Sequence, residues 1–278
     1  MAAAVLLAGR VATNLVGTRL QQPATTTRDG SLITLNRYVQ EPVPDVVLVG
    51  SSIGWRLKEE YFSLALVRNL SLAGGSPVTG LEIVAKQPAL PKYVLIETNI
   101  LSRPVDRALV DRFTGPEQSE TFLRPVRTAI AAYEAWNHAP PDPARLRAAH
   151  ARLLKEPPSD FDNRVYVERV VKGMNAEDPG AATRDNVALI KQLISGIERR
   201  GARALLIDIP FAPEVEKTRA AQMSSEIVRS AFPDREAWLS IDVPPDELRW
   251  ADGVHLDERS ALLVTRAIEQ ALAARGQK

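Results

Sequence analysis

From residue 45 onward short apolar runs alternate with amphipathic stretches, and the two periods predict two kinds of element. Val46, Val47, Leu48 and Val49 form an unbroken aliphatic run that stops at Gly50, too short for a helix and apolar on every position, as expected of a strand covered on both faces. Similar runs over 67–72, ending at Gly74-Gly75, over 93–97, ending near Asn99, and over 204–209, stopped by Pro210, predict three more strands, with a weaker fifth around 239–241. Between them Val187, Ile190, Ile194 and Ile197 recur at spacings of three and four, which lays one apolar stripe along a helix that Gly201 ends. Val264, Ile268 and Leu272 mark the face of a last helix, and Pro213 suits the first turn of another. The alternation predicts an α/β fold built on a five-stranded, mainly parallel sheet.

Two stretches break the pattern. Residues 102–183 contain no strong strand, and prolines recur there at Pro104, Pro116, Pro125, Pro140, Pro141, Pro143, Pro157 and Pro158, which predicts a mostly helical insertion. Residues 1–44 run from an apolar Ala2 to Ala8 segment through a polar stretch to Glu41-Pro42-Val43-Pro44. The two prolines suit neither a helix interior nor a central strand, so the main domain is expected over 45–278, with 1–44 a leader or surface segment. The Ala2 to Ala8 run is too short to span a bilayer and no basic residues precede it. It reads either as the tail of an anchor that begins upstream, which would place the protein in the periplasm or cell envelope, or as a surface helix of a cytoplasmic protein.

Composition narrows the chemistry. With 35 basic and 34 acidic residues the formal net charge is +1, so no global field gathers nucleic acid. The absence of cysteine removes disulfides, thiolate metal sites and a thiol nucleophile, and three histidines do not favour a multi-histidine metal site. At 278 residues and 45% hydrophobic content the chain is long enough to bury a sizeable core.

Gly50-Ser51-Ser52-Ile53-Gly54 follows the first strong strand and matches the G-x-S-x-G pattern in which a serine sits on a sharp strand-to-helix turn. A plain Gly/Ser turn would read the same way. Near the other end, Asp252-Gly253-Val254-His255 puts a carboxylate and an imidazole in one short loop. A serine hydroxyl needs an imidazole to take its proton, and the imidazole needs a carboxylate to fix its tautomer, so Ser52, His255 and Asp252 supply one complete set. Their order argues against the α/β-hydrolase fold, where the nucleophile follows several strands and the acid and histidine usually lie well apart. Arg56, four positions after Ser52, is a candidate to hold an anionic substrate group or else a surface arginine. Tyr133, Trp136 and His138 form a small aromatic cluster in the insertion that suits a sugar-stacking wall or local packing.

Four blocks in this order resemble the SGNH, or GDSL-like, hydrolases. Gly50-Ser51-Ser52 resembles the family's Gly-Asp-Ser block with Ser51 in place of Asp. Asn69-Leu70-Ser71-Leu72-Ala73-Gly74 resembles the second block, Ile96-Glu97-Thr98-Asn99 part of the third, and Asp252-Gly253-Val254-His255 the last. The resemblance implies a three-layer α/β/α flavodoxin-like fold, Ser52 as nucleophile with Asp252 and His255, and an oxyanion hole from Ser52, Gly74 and Asn99. It also implies an esterase or O-acyltransferase acting on acyl esters, such as those of acetylated carbohydrate, without metal or organic cofactor. The Gly-Ser-Ser form is similar to that of bacterial proteins acting on surface polysaccharides. A catalytically silent binding or assembly protein with the same fold is the alternative.

Overall fold

The computed structural model describes residues 26–63, 66–116, 142–158 and 160–276. The Ala2 to Ala8 run and the cluster of Tyr133, Trp136 and His138 lie outside the described residues. Four strands, β1 (Val46–Val49), β2 (Val67–Asn69), β3 (Tyr93–Glu97) and β4 (Arg203–Ile207), form one parallel sheet in the order β2-β1-β3-β4. Val46 pairs with both Val67 and Tyr93, and Tyr93 in turn with Arg203, so all four strands start in step and end at one edge.

Alternate side chains leave the sheet in opposite directions and enter two separate cores. Val47, Val49, Val94, Ile96, Ala204 and Leu206 belong to one, while Val46, Leu48, Leu95, Leu205 and Ile207 belong to the other. That is why these strands read as continuous apolar runs rather than as alternation. The first core is closed by helices α1 (Thr27–Gln40), α2 (Pro77–Lys86), α3 (Arg107–Thr114) and α6 (Gly180–Arg199). The second is closed by the last helix, α9 (Glu258–Gly276), and by turns after β1 and β4. Among the described residues no helix is long and apolar enough to cross a membrane.

The second and fourth strands are shorter than the expected 67–72 and 204–209, and three larger features also differ from the sequence expectation. The first helix, α1, belongs to the main domain: Thr26 caps it by accepting from Asp29 N–H, and Leu32, Leu35 and Tyr38 enter the first core. Arg37, Glu41, Glu59 and Arg68 then tie its end to the edge of the sheet. Its apolar residues are spaced among polar neighbours, which hid the helix behind the Pro42 and Pro44 stop. The expected fifth strand contracts to a single parallel bridge between Leu206 and Trp238, with Leu239 N–H donating to Leu206 O at 2.9 Å. Short helical turns at Arg235–Ala237 and Pro245–Glu247 flank it. Within 102–183 the two ends belong to the sheet-covering layer, since α3 packs on α2 and α6 on both α2 and β4. Between them lie α4 (Pro143–Leu153) and α5 (Arg164–Ala176), with α4 packed against α9. Past β4 follow α7 (Pro213–Glu216), opened by Pro213 as expected, and α8 (Arg219–Ala231); α5 packs on both.

Candidate active site

Parallel strands that end together present the loops after them on one edge, where ligands bind in open α/β sheets. Ser52 follows β1, Ser71 and Gly74 follow β2, Thr98 and Asn99 follow β3, and Ile209 follows β4. The loop before α9 completes the edge.

Ser52 stands on a turn that runs into a short 3-10 helix, Gly54–Arg56. Trp55 N–H closes this turn onto Ser51 O at 3.1 Å. Asn69 staples it from below, its Nδ2 donating to Gly54 O at 2.8 Å and Leu57 O at 2.7 Å, while its Oδ1 accepts from Ser71 N–H at 2.9 Å. The second block is thus fastened to the first through one amide side chain.

The loop carrying Asp252 and His255 is a small hairpin. Trp250 and Leu256 form an antiparallel bridge, Ala251 N–H donates to His255 O at 2.8 Å, and Asp257 N–H donates to Arg249 O at 3.0 Å. Asp257 caps α9 by accepting from Ser260 N–H at 2.7 Å, so the hairpin is anchored to a long helix. Gly253 takes φ +93°, a left-handed conformation that glycine adopts without strain. Asp252 Oδ1 accepts from His255 N–H at 2.9 Å and Val254 N–H at 3.1 Å, and its Oδ2 lies 2.7 Å from His255 Nδ1. A carboxylate only accepts there, so Nδ1 carries the proton and Nε2 is the free acceptor. Nε2 lies 2.9 Å from Ser52 Oγ, across 203 positions of sequence. The structure therefore brings Ser52, His255 and Asp252 into one hydrogen-bonded line.

Burial alone would raise the Asp252 pKa, but the hydrogen bonds from the His255 ring and backbone hold it below the usual carboxylate range. Asp252 is therefore charged at neutral pH.

The three expected oxyanion donors stand differently. Gly74 is exposed, with φ +76°, in a turn closed by Gly75 N–H donating to Leu72 O at 2.8 Å. Neither its N–H nor that of Ser52 has an acceptor among the described residues. Asn99 is buried and committed to the chain after β4: Nδ2 donates to Ile209 O at 2.6 Å and Oδ1 accepts from Ile209 N–H at 2.9 Å. One of its two Nδ2 hydrogens remains. Arg56 is half-buried, and its guanidinium makes no hydrogen bond or ion pair among the described residues.

Sequence reasoning assigned no part to Glu97 or Arg103. Glu97 closes β3 with its side chain fully buried, and it takes hydrogen bonds from the turn that carries Ser52. An acidic residue ending an otherwise apolar strand was the available signal. Arg103, half-buried, donates to Gly75 O at 3.3 Å beside the second block.

A cavity of about 1020 Å³ opens on the far side of β4, lined by Asn99, Asp208, Glu216, Arg229 and Trp238 among others, and by none of Ser52, Asp252 and His255. The chain at Ile209–Ala212 separates the two, Ala212 N–H donating to Gly253 O at 2.8 Å. Burial raises the Asp208 pKa against the lowering effect of Arg229, and burial and the Asp208 charge raise that of Glu216. Arg229 is already taken up by Asp208 at 3.3 Å and by the face of Trp238 at 3.6 Å. The line of Ser52, His255 and Asp252 lies outside this cavity, with the His255 and Asp252 side chains 23% and 29% exposed. Comparison of the chain with protein-family models and with curated proteins gave no match.

Proposed function

We propose that this chain is a serine esterase or O-acyltransferase of the SGNH type. The observation that carries the proposal is the line from Ser52 Oγ through His255 to Asp252, closed at 2.9 and 2.7 Å between residues from opposite ends of the domain. The parallel order β2-β1-β3-β4, with a remnant bridge at Trp238 in the fifth position, supports the flavodoxin-like arrangement expected of that family.

In the proposed reaction His255 Nε2 takes the Ser52 proton as Oγ attacks the ester carbonyl. Asp252 steadies the imidazolium, and the N–H groups of Ser52 and Gly74 meet the developing oxyanion, with the remaining Asn99 hydrogen as third donor. Collapse of the tetrahedral intermediate returns the proton from Nε2 to the leaving alcohol and leaves Ser52 acylated. A water or sugar hydroxyl, deprotonated by His255, then releases the acyl group. Hydrolysis and transfer differ only in that second nucleophile.

An acetylated carbohydrate remains the proposed substrate class, with Arg56 as a candidate for an anionic substituent. The segment between α4 and α5 lies against the hairpin and is the proposed determinant of acceptor choice: Arg249 donates to Glu156 O at 2.9 Å and Asn163 to Trp250 O at 2.7 Å. The engagement of Asn99 with Ile209 favours a second reading, a catalytically silent protein that keeps the fold. Turnover of p-nitrophenyl acetate decides between them. The enzyme releases nitrophenol in a reaction that Ser52→Ala abolishes, whereas a silent protein shows equal rates for both chains. Repeating the assay with carbohydrate acceptors separates hydrolysis from transfer.

A further inference from the structure

The turn that carries Ser52 wraps around a buried carboxyl. Glu97 Oε2 accepts from Ser51 N–H at 2.7 Å and from Gly54 N–H at 2.9 Å, while Oε1 accepts from Ser51 Oγ–H at 2.6 Å. The Ser51 hydroxyl in turn accepts from Ile53 N–H at 3.2 Å. Ser51, Ile53 and Gly54 flank Ser52 on both sides, so these four hydrogen bonds fix the backbone before and after it. Glu97 and Ser51 are both fully buried, and so is Ser71, whose hydroxyl has no hydrogen-bond partner among the described residues.

The two glycines of the pattern belong to the same arrangement. A Cβ on Gly50 would sit 2.5 Å from Ser71 Oγ and 2.6 Å from Glu97 Oε2, and one on Gly54 would sit 2.5 Å and 2.9 Å from the same atoms. Neither glycine has positive φ. They are required here by the room the carboxyl and the Ser71 hydroxyl occupy. The G-x-S-x-G spacing therefore records a polar packing site under the turn, and the serine at position 51 is the residue that reaches into it.

We infer that Glu97, acting through Ser51 and Gly54, is the positioning residue that holds Ser52 Oγ in reach of His255 Nε2. The inference rests on the proposed role of Ser52, and it assigns a function to two residues at once: Ser51 in the first block and Glu97 in the third answer each other across neighbouring strands. Gln is the conservative replacement for Glu97, since its amide oxygen accepts the two N–H groups and its Nε2 donates to Ser51 Oγ. Ala leaves three donors without acceptors, and Ser51→Ala removes two hydrogen bonds, the one to Glu97 Oε1 and the one from Ile53 N–H, while leaving the two from backbone N–H groups to Glu97 Oε2.

The test combines amide hydrogen exchange at Ser51 and Gly54 with the rate of labelling by a fluorophosphonate, on full-length Glu97→Gln, Glu97→Ala and Ser51→Ala. Expected are exchange protection and a labelling rate within about threefold of the parent for Gln. Ser51→Ala should label several-fold more slowly, and Glu97→Ala more than tenfold more slowly with weakened protection. In each variant the same final fraction should become labelled, because a loosened turn slows attack without removing the nucleophile. Should Glu97→Ala prove unfolded, Ser51→Ala carries the test alone. Unchanged protection with parental labelling rates in Glu97→Ala, or in Ser51→Ala, overturns the inference, as does failure of Gln to preserve the rate in a folded protein. If the parent itself is not labelled at Ser52, the proposed function fails. The exchange data then still decide whether Glu97 holds the turn.

Discussion

Asn99 and Ile209 bind each other reciprocally, the Asn99 amide donating to Ile209 O and accepting from Ile209 N–H. This clamp joins the chain after β3 to the chain after β4, at the place where the Ile209–Ala212 segment turns toward the Gly253 carbonyl. Asn99 is thus a structural tie as well as a candidate donor to the oxyanion. Asn99→Ala is expected to lower kcat about a hundredfold, the usual cost of one oxyanion donor. It is also expected to lower stability by about 1–3 kcal/mol, the cost of leaving buried backbone groups unpaired. Steady-state kinetics and a thermal melt on the same sample check both. A fall in kcat with an unchanged melting temperature would assign Asn99 to the oxyanion alone, and the reverse would assign it to the tie alone.

Gly253 gives the hairpin its shape, and its positive φ has no room for a side chain. A Cβ there would lie 2.9 Å from Val215 Cγ2 and 3.6 Å from both methyl carbons of Val167. Gly253→Ala is expected to cost about 1–3 kcal/mol through backbone strain. It should also shift Asp252 and His255 out of line, cutting ester turnover at least tenfold. Denaturant unfolding and p-nitrophenyl acetate hydrolysis measure the two effects.

The two site carboxyls shift in opposite directions and give stability opposite slopes with pH. The folded chain holds Asp252 below the ordinary aspartate value of 3.8, so the stability it contributes is present above that value and is lost as pH falls through the folded one. Asp252→Asn should therefore destabilise most near neutral pH and progressively less in acid. Burial raises the Glu97 pKa above the ordinary glutamate value of 4.5, against the hydrogen bonds from Ser51 and Gly54 and the Arg103 charge. The folded chain then holds the Glu97 proton more tightly than the unfolded one. That preference is fully present below pH 4.5 and is lost as pH rises through the folded value. Relative to the parent, Glu97→Gln should gain stability as pH is raised from 4 to 8. Urea unfolding midpoints across that range test both signs.

The fold was legible where burial on two faces leaves an unbroken apolar run. Val46–Val49 and Tyr93–Glu97 form as their residues suggest. The second strand ends at Asn69, whose side chain holds Gly54 and Leu57, although Leu70 and Leu72 still donate to Leu48 O and Gly50 O. The hydrogen-bonded meeting of Ser52, His255 and Asp252 was legible because these residue types, in loops after a strand and before the last helix, suit one another as donor and acceptor. Glu97 was not, because a carboxyl inside an apolar strand declares no partner until the neighbouring strand brings Ser51 to it. The first helix was missed for a related reason: Leu32, Leu35 and Tyr38 make a narrow stripe whose partner surface, the first core, exists only after the sheet has formed.

Mutation of the reacting residues should separate chemistry from folding. Ser52 is half-buried, so Ser52→Ala and His255→Ala should melt close to the parent while each removes nearly all turnover, since the two act as one unit. Asp252→Ala should retain more activity than either, because in the proposed reaction Asp252 orients and stabilises without transferring a proton. Parallel melts and kcat values for the three variants give the ranking.

Covalent labelling of the folded parent chain with a fluorophosphonate, followed by mass mapping of the adduct, addresses the proposed function most directly. A single adduct on Ser52 is expected, absent from Ser52→Ala and formed at least a hundredfold more slowly in His255→Ala. A folded chain that takes up no label, or that carries it on another serine, would contradict Ser52 as the nucleophile and with it the proposed enzyme.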